Sequence, residues 1–169
     1  MRILALIGAL AIIIALAATV FFFGGFYNVA ATQEDLGIVK WALVKVREAS
    51  ISRHAGVTPG INLADPAIIQ AGAKAFAAHG CVNCHGAPGA NWQKFSEGLR
   101  PDPPDLVDVS KELEPGQIFW VVKNGINMTG MPSFQIAGVD DKDIWAIVAF
   151  VKKLPEVSEA DYKNWTAAP

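Results

Sequence analysis

The stretch Cys81-Val82-Asn83-Cys84-His85 decides how the rest of this chain is interpreted, because it spells C-x-x-C-H and contains both cysteines of the 169-residue sequence. Two thiols at this spacing can each form a thioether with a vinyl group of a porphyrin, and the adjacent imidazole can bind the iron. The pentad therefore predicts haem c and its iron, attached covalently through Cys81 and Cys84, with His85 as an axial ligand. One pentad predicts one haem.

Two other kinds of site use part of this pattern. A redox dithiol needs only C-x-x-C, so that the histidine has no role. A zinc site needs two further ligands, for which the chain offers His54 and His79. The full pentad is more specific than either alternative and favours haem.

The N-terminal segment predicts a membrane span. No charged residue occurs from Ile3 to Phe23, and a helix of this length, at about 1.5 Å per residue, is roughly 31 Å long, the thickness of a bilayer core. A cleaved signal peptide is the alternative, but its apolar region usually has only about 7–15 residues, so a retained anchor is favoured. We expect residues 1–27 to form a transmembrane anchor.

A second helix is predicted from Glu34 to His54, within a segment of helix and linker at residues 28–64. Apolar residues recur at helical spacing on one face: Leu36, Val39, Leu43 and Val46. Trp41 and Val44 lie on the other side and leave more apolar surface than a solvated helix needs. Such a helix lies on the membrane, packs against the following domain, or is held by another subunit.

The rest of the chain predicts an all-α domain at residues 65–155 and a tail at 156–169. Asp65 can cap a helix that begins at Pro66 and ends at His79, and further helices are expected at 115–123 and 140–154. A loop stiffened by prolines is expected from Trp92 to Asp108, and no strand pattern is evident.

A second axial ligand would come from the segment GINMTGMPSF at residues 125–134, which offers Met128 and Met131. Met131 is favoured because Pro132 follows it, fixing the local backbone and removing a donor beside an apolar pocket. A thioether ligand stabilises ferrous iron and raises the reduction potential.

The motifs CVNCH, PPDL and GMPSF, on this order of helices and loops, resemble those of the class I cytochrome c family over Asp65 to Leu154. The resemblance implies thioethers from Cys81 and Cys84, iron ligation by His85 and Met131, and a carbonyl of Pro104 that accepts a hydrogen bond from the His85 imidazole.

The same resemblance implies that the first and last helices of the domain pack together through Gly72, Phe76 and Trp145. It also suggests, more weakly, that Arg100 donates hydrogen bonds to the haem propionates. It has no counterpart for residues 1–64.

Charge limits the partners. Residues 65–169 carry eight Asp and five Glu against eight Lys and one Arg, a net charge of −4. This balance excludes a nucleic-acid binder and suits a partner with a basic docking patch.

Together these features predict a single-pass, membrane-anchored monohaem cytochrome c that carries single electrons between redox partners of a respiratory chain. Because haem c is attached on the outer side of the membrane, the haem domain is expected in the periplasm of a bacterium, anchored in the inner membrane. We expect no enzyme activity and no small-molecule substrate. The alternatives are a fixed cytochrome subunit of a larger membrane oxidoreductase complex and a ligand-binding or peroxidase-like haem protein.

Overall fold

The structure is a computed structural model that describes residues 1–167 and divides into two units, 1–35 and 36–167. The described residues contain no strand, so the predicted all-α fold is confirmed. Eight α-helices follow in order: α1 (Arg2–Phe23), α2 (Gly37–His54), α3 (Pro66–Ala78), α4 (Val82–His85), α5 (Leu106–Glu112), α6 (Pro115–Asn124), α7 (Asp141–Lys153) and α8 (Glu159–Thr166). Two short 3-10 helices span Lys94–Gly98 and Leu154–Glu156. The domain boundaries at residues 27, 64 and 155 stay predictions.

The first unit contains α1, which matches the predicted span. Its best 18-residue window has a mean hydropathy of 2.9, and none of its residues is buried. By length and composition it can cross a membrane. Phe21, Phe22 and Tyr27 form an aromatic cluster near its end, with ring centroids 5.3–6.3 Å apart.

The core of the second unit is the crossing of α3 and α7. Helix α3 begins as predicted, because the Asp65 carboxylate accepts a hydrogen bond from Ala67 N at 2.8 Å. Gly72 lies at the crossing, where a Cβ would sit 1.9 Å from the Ala146 carbonyl oxygen, so only glycine allows this approach. Phe76 is buried there against Phe150.

Helix α7 also packs on α6, through aromatic stacking. Trp145 stacks on Phe119 with ring centroids 4.2 Å apart, and both side chains are buried. The predicted roles of Gly72, Phe76 and Trp145 in the core are therefore confirmed, with one difference. The aromatic partner of Trp145 is on α6, so α7 joins α3 to α6.

The predicted loop at 92–108 and the predicted tail contain helices that the sequence pattern did not indicate. The loop includes the 3-10 helix at Lys94–Gly98 and the start of α5. The tail folds back as α8, in which Tyr162 is buried and stacks on Phe150. A reciprocal capping box between Ser158 and Asp161 begins this helix.

Helix α2 packs on its own domain at its C-terminal end. Ile51 is buried, Ser52 accepts a hydrogen bond from Gln117 of α6, and the His54 ring stacks on Trp120. The predicted apolar face is mostly open, since Leu43 and Val46 are 50% and 67% exposed. Of the three predicted environments for α2, packing against its own domain therefore applies mainly to the last turns of the helix.

Candidate haem site

The C-x-x-C-H motif forms the short helix α4, placed directly after α3 by a sharp turn. Gly80 has a φ of 77°, which L side chains rarely adopt, and Cys81 N donates to the Phe76 carbonyl at 3.1 Å. Cys81 is thereby buried at the edge of the core, while Cys84 is partly exposed. Both thiols are free.

The environment of Cys81 does not suit the attacking thiol of a redox pair. Burial raises the pKa of its thiol to about 12. Because the thiolate is the reactive species in thiol–disulfide exchange, a thiol with this pKa is a poor nucleophile at neutral pH. The structure therefore favours a structural or cofactor-linking role for this cysteine.

The zinc alternative gains no support from the geometry. Within residues 1–167, no three His, Cys, Asp or Glu side chains are grouped so that they could hold a metal ion. His79 lies 3.9 Å from Asp143, and His54 stacks on Trp120 and contacts the Ser50 carbonyl at 2.8 Å. Each histidine therefore contacts residues near it, and neither is grouped with the two cysteines.

The imidazole of His85 is fixed by one hydrogen bond. Its Nδ1 donates to the carbonyl oxygen of Pro104 at 3.1 Å, so the contact expected from the sequence is present. A carbonyl only accepts, so the proton is on Nδ1 and the lone pair is on Nε2. Burial lowers the pKa of His85 and so favours the neutral ring, and the hydrogen bond to Pro104 partly opposes this by raising the pKa.

The Pro104 carbonyl is itself held in place by α5. The Asp105 carboxylate accepts from Val107 N at 2.7 Å and starts the helix one residue after the proline pair. At the other end, Lys152 of α7 donates to the carbonyls of Ser110 and Leu113. The acceptor of the His85 hydrogen bond thus adjoins the capped start of α5, and Lys152 ties the C-terminal end of this helix to α7.

A cavity of about 470 Å³ opens beside the motif. Its lining includes Cys84, His85, Trp92, Arg100 and Pro104. One thiol, an imidazole, an aromatic ring and a cation around one opening suit part of a covalently attached porphyrin with propionates. Glu97, Asp102 and Asp105 also line the cavity, whereas Cys81 and Met131 do not. The residues present therefore fit haem c.

Arg100 lines this cavity, but its guanidinium is already engaged by its own loop. Its Nη1 donates to the carbonyls of Glu97 and Leu99 at 3.2 and 2.8 Å and pairs with Asp102. The side chain is 43% exposed. These bonds hold the guanidinium at the rim of the cavity.

The two methionines differ sharply in their surroundings. Met131 is partly buried and packs against the hydrophobic core. Met128 is 88% exposed and has a φ of 59°. Only Met131 therefore has its thioether against the interior of the domain.

The loop that carries Met131 is fastened to the C-terminal end of α6. Gly125 ends the helix with a φ of 70°, and a Cβ there would lie 2.8 Å from the Met131 carbonyl oxygen. Ser133 Oγ donates to the Lys123 carbonyl, and Thr129 Oγ1 accepts from Met131 N. Gly125 was expected from the sequence to end this helix, whereas Thr129 and Ser133 were not singled out; the G-x-x-x-T-G-M-P-S pattern is the signal that contains them.

Comparison with known proteins agrees with this geometry. A family model described as "Cytochrome C oxidase, cbb3-type, subunit III" matches residues 67–151, which is half of the chain. The match runs from the first turn of α3 almost to the end of α7 and includes all six predicted site residues: Cys81, Cys84, His85, Arg100, Pro104 and Met131. No curated protein and no solved structure matches the chain. The chain belongs to this family of c-type cytochrome domains, and the resemblance to class I cytochromes c is confirmed.

Proposed function

We propose that this protein is a membrane-anchored carrier of single electrons with one haem c, bound covalently through Cys81 and Cys84 and ligated by His85 and Met131. The observation that carries the proposal is the hydrogen bond from His85 Nδ1 to Pro104 O, 3.1 Å long. It directs the Nε2 lone pair away from the acceptor and fixes the plane of the ring, which is what an axial ligand requires.

Haem supplies a reversible one-electron couple when it is bound. Cys81 and Cys84 would hold the porphyrin edge next to the core, and Pro104 would keep His85 basic and oriented. Met131 is the methionine whose side chain lies against the core, so it would close the second axial position. With both positions filled, no site remains for a substrate, which favours electron transfer over peroxidase-like chemistry.

Arg100 would contribute to haem binding through its positive charge. Its side chain lies at the cavity rim, held by the Leu99 carbonyl and by Asp102. From that position it would bind a haem propionate, and Asp102 would compete for the same guanidinium. We therefore assign Arg100 a smaller share of haem binding than the covalent and axial residues.

The apolar helix α1 would anchor the protein in the bacterial inner membrane, with the haem domain in the periplasm, where haem c is attached. Its length and its lack of charge support a full span. The donor and the acceptor would then be other respiratory-chain proteins near the outer face of that membrane.

A second candidate is a fixed electron-entry or electron-exit subunit of a larger oxidoreductase. The description of the matching family, a subunit of a cytochrome c oxidase, favours it. Purification in mild detergent distinguishes the two: a fixed subunit elutes with its partners, whereas a free carrier elutes alone.

The covalent attachment is tested by denaturing the purified protein in acidified acetone. Because thioethers survive denaturation and axial bonds do not, we expect the haem to stay with the polypeptide. In a Cys81→Ala, Cys84→Ala double variant the haem should be extracted. Extraction from the unaltered protein would contradict the proposal.

A further inference from the structure

Helix α2 has two apolar sides, and its own domain covers only one of them. Successive residues turn by about 100° around a helix, so Val44 and Ile51 lie on one side together. Ile51 is buried at 7% exposure and Val44 is partly buried. This side meets α6.

The other side is exposed. We call Ile38, Leu43 and Val46 the outer α2 face; these side chains are 70%, 50% and 67% exposed. They fall within an arc of roughly 140°, centred roughly 160° from the side that meets α6. Contiguous apolar side chains left open in this way mark a surface that binds something.

The charges around the outer α2 face indicate what it binds. Lys45 borders one edge of the arc, and Arg47 and Lys40 border the other. Over the whole helix four cations stand against Glu48, which pairs with Lys45 at 2.8 Å. In the N-terminal half of α2 the apolar strip is edged by long cationic side chains, and Arg53 lies within the same arc near the C-terminal end. Apolar side chains with surrounding cations suit a helix that lies in the interface of an anionic bilayer.

The position of α2 in the chain supports the same occupant. Residues 24–36 connect it to α1, and 13 residues span at most about 45 Å even when fully extended. If α1 is anchored in a bilayer, α2 is held within reach of lipid headgroups at all times.

We propose that the outer α2 face binds the surface of an anionic lipid bilayer, with Ile38, Leu43 and Val46 inserted at the headgroup boundary and Lys40 and Lys45 directed to lipid phosphates. This inference rests on the proposed membrane anchor. Because the last turns of α2 pack on α6, the contact would hold the haem domain close to the membrane and restrict the partners that it can reach.

Photo-cross-linking of the full-length haem protein in nanodiscs tests the contact. The photoreactive residue is introduced as Val46→p-benzoylphenylalanine on the outer face, and as Glu48→p-benzoylphenylalanine on the other side as the matched control. Discs contain either phosphatidylcholine alone or phosphatidylcholine and phosphatidylglycerol in equal parts. Mass spectrometry then identifies the adducts, and the absorption spectrum confirms that each variant holds haem.

We expect lipid adducts at position 46, few at position 48, and a higher yield with phosphatidylglycerol. Adding Lys40→Glu and Lys45→Glu should lower the yield at position 46 in the anionic discs by about fivefold or more. Equal yields at the two positions, or adducts at position 46 only to a second copy of the chain, overturn the inference. So does a position 46 adduct to another protein, rather than lipid, in native membranes.

The same experiment separates this inference from the anchor on which it rests. If the protein leaves the discs altogether, the anchor is wrong and the inference falls with it. If the protein stays in the discs and position 46 gives no lipid adduct, only the inference is overturned.

Discussion

Gly125 offers a direct test of how the Met131 loop is held. An alanine Cβ at this position would lie 2.7 Å from Pro132 C and Ser133 N and 2.8 Å from the Met131 carbonyl oxygen. Ordinary carbon contacts begin near 3.5 Å, so the loop would have to move by roughly 0.7 Å. With a φ of 70° and a ψ of −173°, Gly125 lies in a backbone region that essentially only glycine adopts, so an L side chain there costs about 1–3 kcal/mol.

The expected cost of Gly125→Ala follows from these two contributions. Displacing packed backbone typically costs about 1–3 kcal/mol, which together with the backbone cost gives a total of about 2–6 kcal/mol in the free energy of unfolding. Because the displaced backbone carries Met131, the variant should also bind carbon monoxide in the ferrous state more readily and have a lower reduction potential. Denaturant titration and redox titration measure the two effects.

Gly138→Ala is the matched control. Gly138 also has a positive φ, 85°, but its Cβ would meet nothing within 4 Å. It should therefore lose only the backbone contribution of about 1–2 kcal/mol and keep its potential and its resistance to carbon monoxide. If the two variants lose the same stability and neither changes its ligand binding, the reasoning about the Met131 loop is wrong.

Two further substitutions test neighbouring parts of the structure. Met131→Ala should open the iron to carbon monoxide and lower the reduction potential, whereas Met128→Ala, at an exposed position, should change neither; the reverse result would move the ligand to Met128. Tyr162→Ala should cost about 3 kcal/mol in denaturant unfolding, because it removes a buried ring stacked on Phe150. Tyr162→Phe keeps the ring and should cost less than about 1.5 kcal/mol, and equal losses would show that the stacking does not stabilise the domain.

The helices with local end signals were predicted well from the sequence. Asp65 followed by Pro66 begins α3 as predicted, and Gly125 ends α6 one residue after the predicted end. Such signals act through the backbone groups of one turn, so they need no knowledge of the rest of the fold.

Helix α8 was missed for the opposite reason. It has eight residues, too few to be stable alone or to show a helical period, and only Tyr162 and Trp165 are large and apolar. It packs on α3, and its Tyr162 stacks on Phe150, 12 positions away on α7. That contact exists only after the domain has folded.

The orientation of α2 was equally beyond sequence reasoning. The helix has apolar residues on both sides, so periodicity finds two candidate faces and cannot rank them. The position of α6 determines which face of α2 is buried, because α6 covers Ile51 and leaves Leu43 and Val46 exposed. The apolar side chains that α6 leaves uncovered, Leu43 and Val46, are therefore the ones available to contact a surface outside the domain.

At the proposed site, the sequence predicts which chemical groups are used, and the structure adds what holds them. The motif alone indicated Cys81, Cys84 and His85, since their spacing has a chemical reason. The resemblance added Pro104, which indeed accepts from His85. Nothing in the sequence indicated that the Arg100 guanidinium is held by its own loop, because that depends on how the proline-rich segment folds.

Both proposed axial ligands are held by elements that pack on α7. On the His85 side, Lys152 of α7 fixes α5 and, through it, the Pro104 carbonyl. On the Met131 side, Trp145 of α7 stacks on α6, whose end fastens the methionine loop. Electron transfer is fast when the ligand geometry changes little between oxidation states, and rigid support of both ligands serves that purpose. A single buried helix therefore accounts for the rigidity of both sides of the site.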